Sequence, residues 1–345
     1  MQSVQMNVNT RPVAKTAALT MLAVAHRRYG APEVLTYEEL ARPSPGDEEV
    51  LVRVHAAGVS IGDHHIVTGK PYLVRLSPFG GFPAPRNRVP GAVMAGTVEA
   101  VGVKVTGFRP GDEVYGQGLT GAWAEYAVIP AAMLAKKPKS LSFEEAAAVP
   151  WGTTALNGLR DAGGLKAGER LLVNGASGAV GVWAVQIGKA LGAHVTAVCS
   201  TRNVEMVRAL GADEVIDYTR DDFVKGGARY DVILDMVGNR SLSDFRSALV
   251  AGGRYVPCSG GGGDWIGPFV RILAGLVVFA FGGRKFKLFV QKPCASDLAY
   301  MTELIESGRA KPVVDRAFPL SDVASALQHV GEGHARGVTV VRVAA

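Results

Sequence analysis

A run of small residues in the middle of the chain has the composition of a phosphate-binding turn. The apolar segment RLLVN leads into Ala176-x-Gly178-x-x-Gly181, and an apolar helical pattern follows. Small residues here let backbone N–H groups approach a pyrophosphate, and the helix start adds a partial positive charge. The spacing predicts a dinucleotide site, with Ala176 in place of the usual first glycine. A tight strand–helix turn without a ligand is the alternative.

The residue that ends the second strand decides which dinucleotide fits. Sites for NAD usually carry Asp or Glu there, about 20 residues after the motif, to bind the ribose 2′-OH. Here Ser200 stands at that position, followed by Thr201 and Arg202, and the next acid is Glu205. A hydroxyl and a guanidinium suit a 2′-phosphate, which a carboxylate would repel. The sequence therefore predicts NADPH rather than NADH; a solvated Arg202 is the alternative interpretation of that side chain.

The pattern of apolar residues places this turn in the second of two units. From residue 19 to 141, short extended runs alternate with glycine turns, which is typical of a β-rich module. Ser142 is a helix cap with Glu145 three residues on, and from 142 to 292 strands and helices alternate. This order predicts an α/β protein with a parallel, doubly wound sheet. Residues 293–345 are expected to fold back onto the first unit.

Composition excludes several other classes of protein. The 345 residues carry a net charge of +6 with no dense basic block, so nucleic acid is not an expected partner. Three separated cysteines without a C-x-x-C argue against a disulfide framework and a cysteine zinc site, and they fit a cytoplasmic location. The apolar run Ile272–Phe281 is shorter than the ~20 residues of a membrane span and is expected to be a buried helix or a subunit contact. Residues 1–18 are expected to form a flexible tail.

Several stretches together resemble one family. They include HAAGVSIGDHHIVTGKPY, VPGAVMAGTVEAVGVKVTGFRPGDEVYG and LLVNGASGAVGVWAVQIGKALGAHVTAVCSTRN. The chain from about residue 21 onward resembles the zinc-independent medium-chain dehydrogenases/reductases, in the quinone oxidoreductase (zeta-crystallin-like) branch. DWIGPF and GHARG are similar to bacterial members related to the mitochondrial reticulon-interacting oxidoreductase. The resemblance implies a GroES-like catalytic domain (19–141 and 293–345), a Rossmann NADPH-binding domain (142–292), a cleft between them and a homodimer.

The resemblance also implies which residues hold the cofactor. Those expected at the pyrophosphate lie in the glycine turn: Ser177, Gly178, Ala179, Val180 and Gly181. Those expected at the 2′-phosphate are Ser200, Arg202 and Tyr218. Those expected at the nicotinamide ribose and ring are Thr154, Val237, Gly238, Ser259 and Gly260.

The family offers a direct comparison for zinc. Zinc-dependent members carry a Cys after the AAGV strand and Gly-His-Glu near VPGAVMAG, whereas this chain has Ser60 and Ala92-Val93 and lacks the four-cysteine loop. His64 and His65 are adjacent and, on a strand, would point to opposite sides. The sequence therefore predicts no metal. Without a metal to polarise a carbonyl, the expected acceptor is a conjugated small molecule, either a quinone or an enone.

Three residues are candidates for the catalytic side of the cleft. Tyr72, in GKPY, matches a tyrosine that related reductases place near the substrate, where it would donate a proton or a hydrogen bond. A packing tyrosine is the alternative. Asp63 matches an acid of the family and is expected to orient its loop rather than to react. Ser60 replaces a frequent Asn, and Val93 replaces a frequent Asp, so a different acceptor or weaker catalysis is expected.

The remaining expectations concern the walls of the site, its reaction and its assembly. Trp265 and Phe269 would line a pocket for a flat aromatic acceptor, with simple packing as the alternative, and 73–89 is either a lid or a surface connection. The leading hypothesis is an NADPH-dependent quinone or enone reductase. An enoyl-thioester reductase and a low-turnover NADPH-binding redox sensor are the alternatives. Pairing through the edge segment KFKLFV would form the dimer.

Overall fold

The computed structural model describes residues 19–77, 80–258, 267–333 and 335–343, with the helical backbone alone for 267–269. The strands are β1 (Thr20–Ala25), β2 (Thr36–Ala41), β3 (Glu49–Val59), β4 (Val93–Val101), β5 (Glu113–Gln117), β6 (Tyr126–Pro130), β7 (Leu134–Lys136), β8 (Arg170–Asn174), β9 (His194–Cys199), β10 (Glu214–Asp217), β11 (Tyr230–Asp235), β12 (Leu249–Pro257), β13 (Lys285–Phe286), β14 (Val314–Pro319) and β15 (Val338–Arg342). The helices are α1 (Ile61–Thr68), α2 (Phe143–Ala148), α3 (Trp151–Leu156), α4 (Gly181–Ala190), α5 (Val204–Ala209), α6 (Leu242–Ser247), α7 (Gly267–Val278), α8 (Ala295–Glu306) and α9 (Val323–Gly331).

The second half of the chain builds a parallel sheet. Over the described residues its strand order is β10-β9-β8-β11-β12-β13, with every neighbouring pair parallel. The apolar side chains of β8 and β11 are fully buried because helices cover both faces of such a sheet. The order reverses between β8 and β11, and ligands of doubly wound sheets bind beyond the strand ends at this point.

The first half and the end of the chain share a second sheet. Its order within the described ranges is β14-β15-β3-β4-β5-β7, and β6 pairs with β3. β15 pairs antiparallel with β3, so that Thr339 lies opposite Val59. The C-terminal segment therefore returns to the β-rich unit. The predicted fold class, a β-rich unit beside a doubly wound parallel sheet, is confirmed.

The two units pack closely at their junction. Tyr115 of β5 is buried, and its hydroxyl donates to the carbonyl of Leu298 in α8 at 2.7 Å. One continuous hydrophobic core includes Ala95 of β4 together with Val182 of α4. A shared core fixes the geometry of the cleft because neither unit can shift without exposing apolar surface.

One sequence prediction is wrong in this structure, and one of the two alternatives for another segment is excluded. His64 and His65 lie on α1 rather than on a strand, and their ring centroids are 6.2 Å apart. Of the two expectations for Ile272–Phe281, the buried helix is excluded because α7 leaves Leu273 and Val277 exposed, and the subunit contact stays a prediction. Within the described ranges, none of the helices is long and apolar enough to cross a bilayer. The predicted tail, residues 1–18, lies outside the described residues.

Candidate functional site

The glycine turn between β8 and α4 is built on close backbone approaches. Gly175 has φ of 89°, and a Cβ there would lie 2.7 Å from Cγ2 of Val237. A Cβ on Gly181 would lie 2.1 Å from the carbonyl oxygen of Gly175. Only glycine fits either position. α4 starts at Gly181 with no side-chain cap from the described residues. The N–H of Val182 donates to the carbonyl of Gly178 at 3.0 Å, so an anion is expected to meet the N–H groups that precede it in the turn.

The end of the chain contacts this turn from the other unit. The backbone N–H of Gly337 donates to the carbonyl of Ser177 at 2.8 Å, and Gly178 forms an isolated bridge with Gly337. Arg336 immediately precedes Gly337 in the sequence, so its backbone lies close to the expected pyrophosphate position. Sequence reasoning missed this contact, although the motif GHARG had already marked the segment as similar to a subgroup of the family.

Two of the expected cofactor residues are joined by a third that sequence reasoning missed. Asn203 is buried, and its Nδ2 donates to the hydroxyls of Ser177 at 3.0 Å and Ser200 at 3.2 Å. Both hydroxyls accept these bonds, so their own protons remain available for an anionic oxygen. Arg202, beside this cluster, is exposed. The cluster links the pyrophosphate and 2′-phosphate sides of the site.

An acid that sequence reasoning also missed lies near the end of β9. Asp217 ends the neighbouring strand β10, and its carboxylate accepts from the hydroxyl of Thr201 at 2.6 Å and that of Thr219 at 2.8 Å. The hydrogen bond from Thr201, followed by that from Thr219, lowers the pKa of Asp217. This carboxylate is thus occupied by its neighbours. Tyr218, which follows it, donates its backbone N–H to Cys199 and exposes its side chain.

The loop after β11 is fixed from beneath by one buried carboxylate. Asp235 is fully buried and accepts from the backbone N–H of Val237 at 3.1 Å and of Gly238 at 3.0 Å. Asn174 at the end of β8 donates to it at 2.8 Å, and the Tyr255 hydroxyl does so at 2.6 Å. Burial, then the neighbouring Asp235 charge, raises the pKa of Tyr255. The expected nicotinamide residues Val237 and Gly238 are therefore held rigidly.

Another polar cluster crosses the junction at the start of α3. The hydroxyl of Thr154 donates to Oε1 of Gln291 at 2.9 Å. Nε2 of Gln291 donates to Oε1 of Gln117 in β5 at 2.9 Å and to the hydroxyl of Thr153 at 2.5 Å. Thr154 is thus part of a network that ties the two units together. Gln117 and Gln291 were not identified from sequence, because nothing local relates them.

The catalytic candidates Ser60 and Asp63 bind each other. Ser60 caps α1, and its hydroxyl and backbone N–H donate to Oδ2 of Asp63 at 2.8 and 2.9 Å. Burial raises the pKa of Asp63 to about 6, although the bonds from Ser60 lower it. The expectation that Asp63 orients its segment is consistent with this capping box, in which each residue satisfies a donor of the other.

The third candidate, Tyr72, lies in a short 3-10 turn, Tyr72–Leu76. The guanidinium of Arg75 lies 4.8 Å from its ring centroid and 4.4 Å from that of Tyr29. The Tyr29 hydroxyl donates to the carbonyl of Gly81 at 2.8 Å, so the loop is tied to the β-rich unit. Tyr72 therefore has a packing role in this loop, alongside any role in proton donation.

Val93 lies at a buried apolar contact of the junction. A Cβ on Gly58 would be 3.4 Å from Val93 Cβ and 3.1 Å from Trp151 Nε1. The indole N–H of Trp151 is buried without a hydrogen-bond acceptor among the described residues. The apolar side chain of Val93, close to the same point, offers no acceptor. Unpaired buried donors cost about 1–3 kcal/mol.

Four expected site residues cannot be placed. Ser259, Gly260 and Trp265 lie outside the described residues, as does the side chain of Phe269. In the described part of the chain, no group of three or more His, Cys, Asp or Glu side chains is arranged to hold a metal ion.

Comparison with known proteins identifies the class. Residues 46–139 match the alcohol dehydrogenase GroES-like domain, and residues 210–341 match the zinc-binding dehydrogenase family. The chain is 33% identical over 362 residues to the human mitochondrial NAD(P)H oxidoreductase RTN4IP1, covering 92% of this chain and 87% of that protein. It is 31% identical to the chloroplastic quinone-oxidoreductase QR1 of Triphysaria versicolor, with coverage of 94% and 99%.

Solved structures that resemble this chain belong to the same kinds of protein as these relatives. The quinone oxidoreductase from Coxiella burnetii superposes with a TM-score of 0.83 at 26% identity and covers 94% of this chain and all of that one. CurK enoyl reductase superposes with a TM-score of 0.81 at 25% identity, with coverage of 94% and 99%. The chain belongs to the medium-chain dehydrogenase/reductase superfamily, in the quinone oxidoreductase branch, and is an oxidoreductase. The homodimer and the cytoplasmic location stay predictions.

The buried Asp63 generates a prediction about pH. Because its folded pKa of about 6 lies above the ordinary 3.8, its contribution to stability is complete below pH 3.8 and is lost as pH rises through about 6. The difference corresponds to about 3 kcal/mol. Asp63→Asn keeps an acceptor for Ser60 and should remove this decline. Urea unfolding of both proteins between about pH 4 and pH 7 measures it.

The control is Asp244→Asn in the capping box of α6, where Ser241 and Asp244 make the same two backbone contacts at a partly exposed site. Its unfolding free energy should follow that of the wild type across the same pH range. Parallel curves for Asp63→Asn and the wild type would contradict the assignment.

The unpaired indole of Trp151 generates a second prediction. Trp151→Phe removes a buried donor that has no acceptor, so the loss of packing is offset and the unfolding free energy should change by no more than about 1 kcal/mol. Trp183→Phe is the matched control, because Trp183 is buried and donates to the carbonyl of Ala148 at 3.0 Å. It should be the more destabilising by at least about 1 kcal/mol. Equal costs in chemical denaturation would contradict this account.

Proposed function

We propose that this oxidoreductase uses NADPH and, without zinc, transfers hydride to a conjugated carbonyl acceptor, either a quinone or an enone. The observation that carries the cofactor assignment is the cluster of Ser177, Asn203 and Ser200 beside the uncapped start of α4. In this proposal Ser177 faces the pyrophosphate, Ser200 and the exposed Arg202 face the 2′ side of the ribose, and the carboxylate of Asp217 is occupied by threonine hydroxyls.

The residues of this chain hold and orient the cofactor in the proposed reaction. When bound, NADPH supplies the hydride. The N–H groups at the start of α4 bind the pyrophosphate, and Ser200 and Arg202 bind the 2′-phosphate. Val237 and Gly238, fixed through Asp235, present a rigid wall to the nicotinamide, and Thr154 contacts it from the junction. Preorganisation of this kind lowers the entropic cost of reaching the reactive geometry.

Reduction of a quinone to a hydroquinone needs one hydride and one proton. In this proposal the hydroxyl of Tyr72 donates the proton, or a hydrogen bond, to the acceptor oxygen as negative charge develops on it. Asp63 acts as a positioning residue, since its carboxylate caps α1 through Ser60 rather than facing the cleft.

The names of the relatives support the acceptor class. Several similar proteins are named quinone oxidoreductases, including those of Homo sapiens and Spinacia oleracea. The similarity to CurK enoyl reductase favours a second candidate, reduction of an enoyl thioester. Ser60 and Val93 stand where related proteins often carry Asn and Asp, and these replacements would weaken catalysis. They favour a third candidate, a redox sensor that binds NADPH with little turnover.

One assay separates these candidates. Loss of NADPH absorbance is followed with benzoquinone, phenanthrenequinone, a small enone and an enoyl thioester, each with and without a chelator. We expect chelator-insensitive turnover of the quinones or the enone. Activity confined to the thioester would favour the second candidate, and tight NADPH binding without turnover would favour the sensor. Loss of activity in the chelator would contradict the zinc-independent mechanism.

Cofactor preference generates a further prediction. Arg202→Ala should raise KM for NADPH about tenfold, since charge-assisted hydrogen bonds contribute about 1.5–3 kcal/mol. KM for NADH should change little, because the 2′-hydroxyl carries no charge. Arg229→Ala, an exposed arginine that bonds only the carbonyl of Ala228 in the described contacts, is the control. Equal effects on both cofactors would place Arg202 away from the 2′-phosphate.

A further inference from the structure

One arginine joins helix α7 to the loop after β11. Arg271 shares the inner side of α7 with Ala274 and Val278, which pack against the hydrophobic cluster beneath the helix. Its guanidinium Nη2 donates to the carbonyl of Arg240 in that loop at 3.1 Å and to the hydroxyl of Tyr255 in β12 at 3.1 Å. The side chain therefore contacts the helix, the sheet and the loop at once.

Arg271 is also the cation of a buried ion pair. Its Nη2 lies 3.7 Å from Oδ2 of Asp235, a carboxylate that is fully buried. Within the described part of the chain, this is the one ion pair that Asp235 forms within 4 Å. A buried carboxylate that loses its cation is strongly destabilised, because its charge is left without compensation. Arg271 thus balances the charge on which the loop is built.

The two acceptors of Arg271 enclose the segment that is expected at the nicotinamide. Asp235 ends β11, and Arg240 lies at the far end of the loop. Between them, the N–H groups of Val237 and Gly238 donate to Oδ1 of Asp235 at 3.1 and 3.0 Å. The guanidinium therefore holds the first residue of this segment by charge and its last residue by a backbone hydrogen bond.

The same network reaches the glycine turn. Nδ2 of Asn174 donates to Oδ1 of Asp235 at 2.8 Å and to Oδ1 of Asn239 at 3.0 Å. Asn174 immediately precedes Gly175, where the chain leaves β8. The loop after β11 is thus held against the pyrophosphate side of the site by one amide and against α7 by one guanidinium.

A simple anchoring role for Arg271 is the competing explanation. An arginine that only fastened α7 to the sheet would need one acceptor, and the hydroxyl of Tyr255 provides it. The bond to the carbonyl of Arg240 fixes the backbone of the loop instead of the helix. Together with the ion pair to Asp235, this second bond favours a role in shaping the loop.

We propose that Arg271 is a positioning residue for the cofactor. It holds residues 236–240 in the conformation that receives the nicotinamide half of the dinucleotide, and it couples this half of the site to helix α7. Because coupling between two sites is reciprocal, a bound cofactor should also strengthen the attachment of α7. This role rests on the proposed function, since that function places the nicotinamide beside Val237 and Gly238.

Equilibrium binding to two probes tests the role of Arg271. Titration calorimetry compares NADP⁺ with 2′,5′-ADP, which keeps the adenosine and its 2′-phosphate but has no nicotinamide. Arg271→Met removes the charge and both hydrogen bonds. It should raise Kd for NADP⁺ by about tenfold or more, since hydrogen bonds of charged groups are the strong ones, and change Kd for 2′,5′-ADP by less than about threefold. Equal losses for both probes, or an unchanged Kd for NADP⁺, would overturn the proposal.

Two further variants separate the loop from the helix. Arg246→Met is the matched control, because Arg246 donates to the carbonyl of Phe281 just beyond α7 at 2.9 Å and forms no described contact with Asp235. It should leave both Kd values within about twofold. Arg271→Lys keeps the charge and should restore affinity for NADP⁺ to within about threefold of the wild type. A loss in Arg246→Met equal to that in Arg271→Met would assign the effect to a loosened helix and overturn the proposal.

Hydrogen exchange measures the coupling in the other direction. Amides of residues 271–278 should exchange more slowly in the wild type when NADP⁺ is bound, and saturating NADP⁺ should not slow them in Arg271→Met. Circular dichroism establishes that the variants are folded. If Arg271→Met does not fold, the wild type decides alone: exchange in α7 that is unaffected by NADP⁺ would overturn the proposal.

The outcomes also distinguish this role from the proposed function. A wild type that binds neither NADP⁺ nor 2′,5′-ADP would overturn both. A wild type that binds both probes, with an unchanged Kd for NADP⁺ in Arg271→Met, would overturn the role of Arg271 alone. In turnover, Arg271→Met should raise KM for NADPH and for NADH by the same factor, because the two cofactors share the nicotinamide half. A change in the preference between them would place Arg271 at the 2′ side instead.

Discussion

The close backbone approach at the end of β8 is the constraint on which the site depends. Gly175 and Gly181 allow the chain to leave the sheet, turn and enter α4 with no Cβ in the way. The same turn receives Gly337 from the far end of the chain. An added side chain at either glycine would push apart the strand, the helix and the loop after β11, and three parts of the cofactor site would move together.

Asp235 connects the end of β8, the loop after β11 and strand β12 through hydrogen bonds to its carboxylate. Its buried carboxylate collects donors from β8, from its own loop and from Tyr255 of β12, and Arg271 lies 3.7 Å away. The carboxylate of Asp235 is the acceptor for all of these donors. Displacing any of them would leave part of a buried charge without a hydrogen bond, which costs free energy. The loop that would carry the nicotinamide is thus rigid, and helix α7 is held on the same network through Arg271.

The two outer surfaces of the Rossmann unit have different chemistry. The cofactor side uses small residues, hydroxyls and amides, which position an anion by hydrogen bonds of defined direction. The α7 side exposes the aliphatic side chains of Val270, Leu273 and Val277 beside a group of cations. Both lie on one sheet, and Arg271 anchors α7 from its inner side, which leaves the apolar side chains on the other side of the helix exposed.

The sequence by itself determined the fold class, the position of the glycine turn and the absence of an acid after β9, since each depends on neighbouring residues along the chain. It did not identify Asn203, Gln291 or Asp217, because their partners lie elsewhere in the sequence. It placed the two histidines on a strand, where the capping box of Ser60 and Asp63 starts a helix instead. Only the tertiary structure decided which side of α7 faces water, because the apolar sequence of this helix does not mark an inner side. The hydrogen bond from Arg271 to the hydroxyl of Tyr255 defines that side.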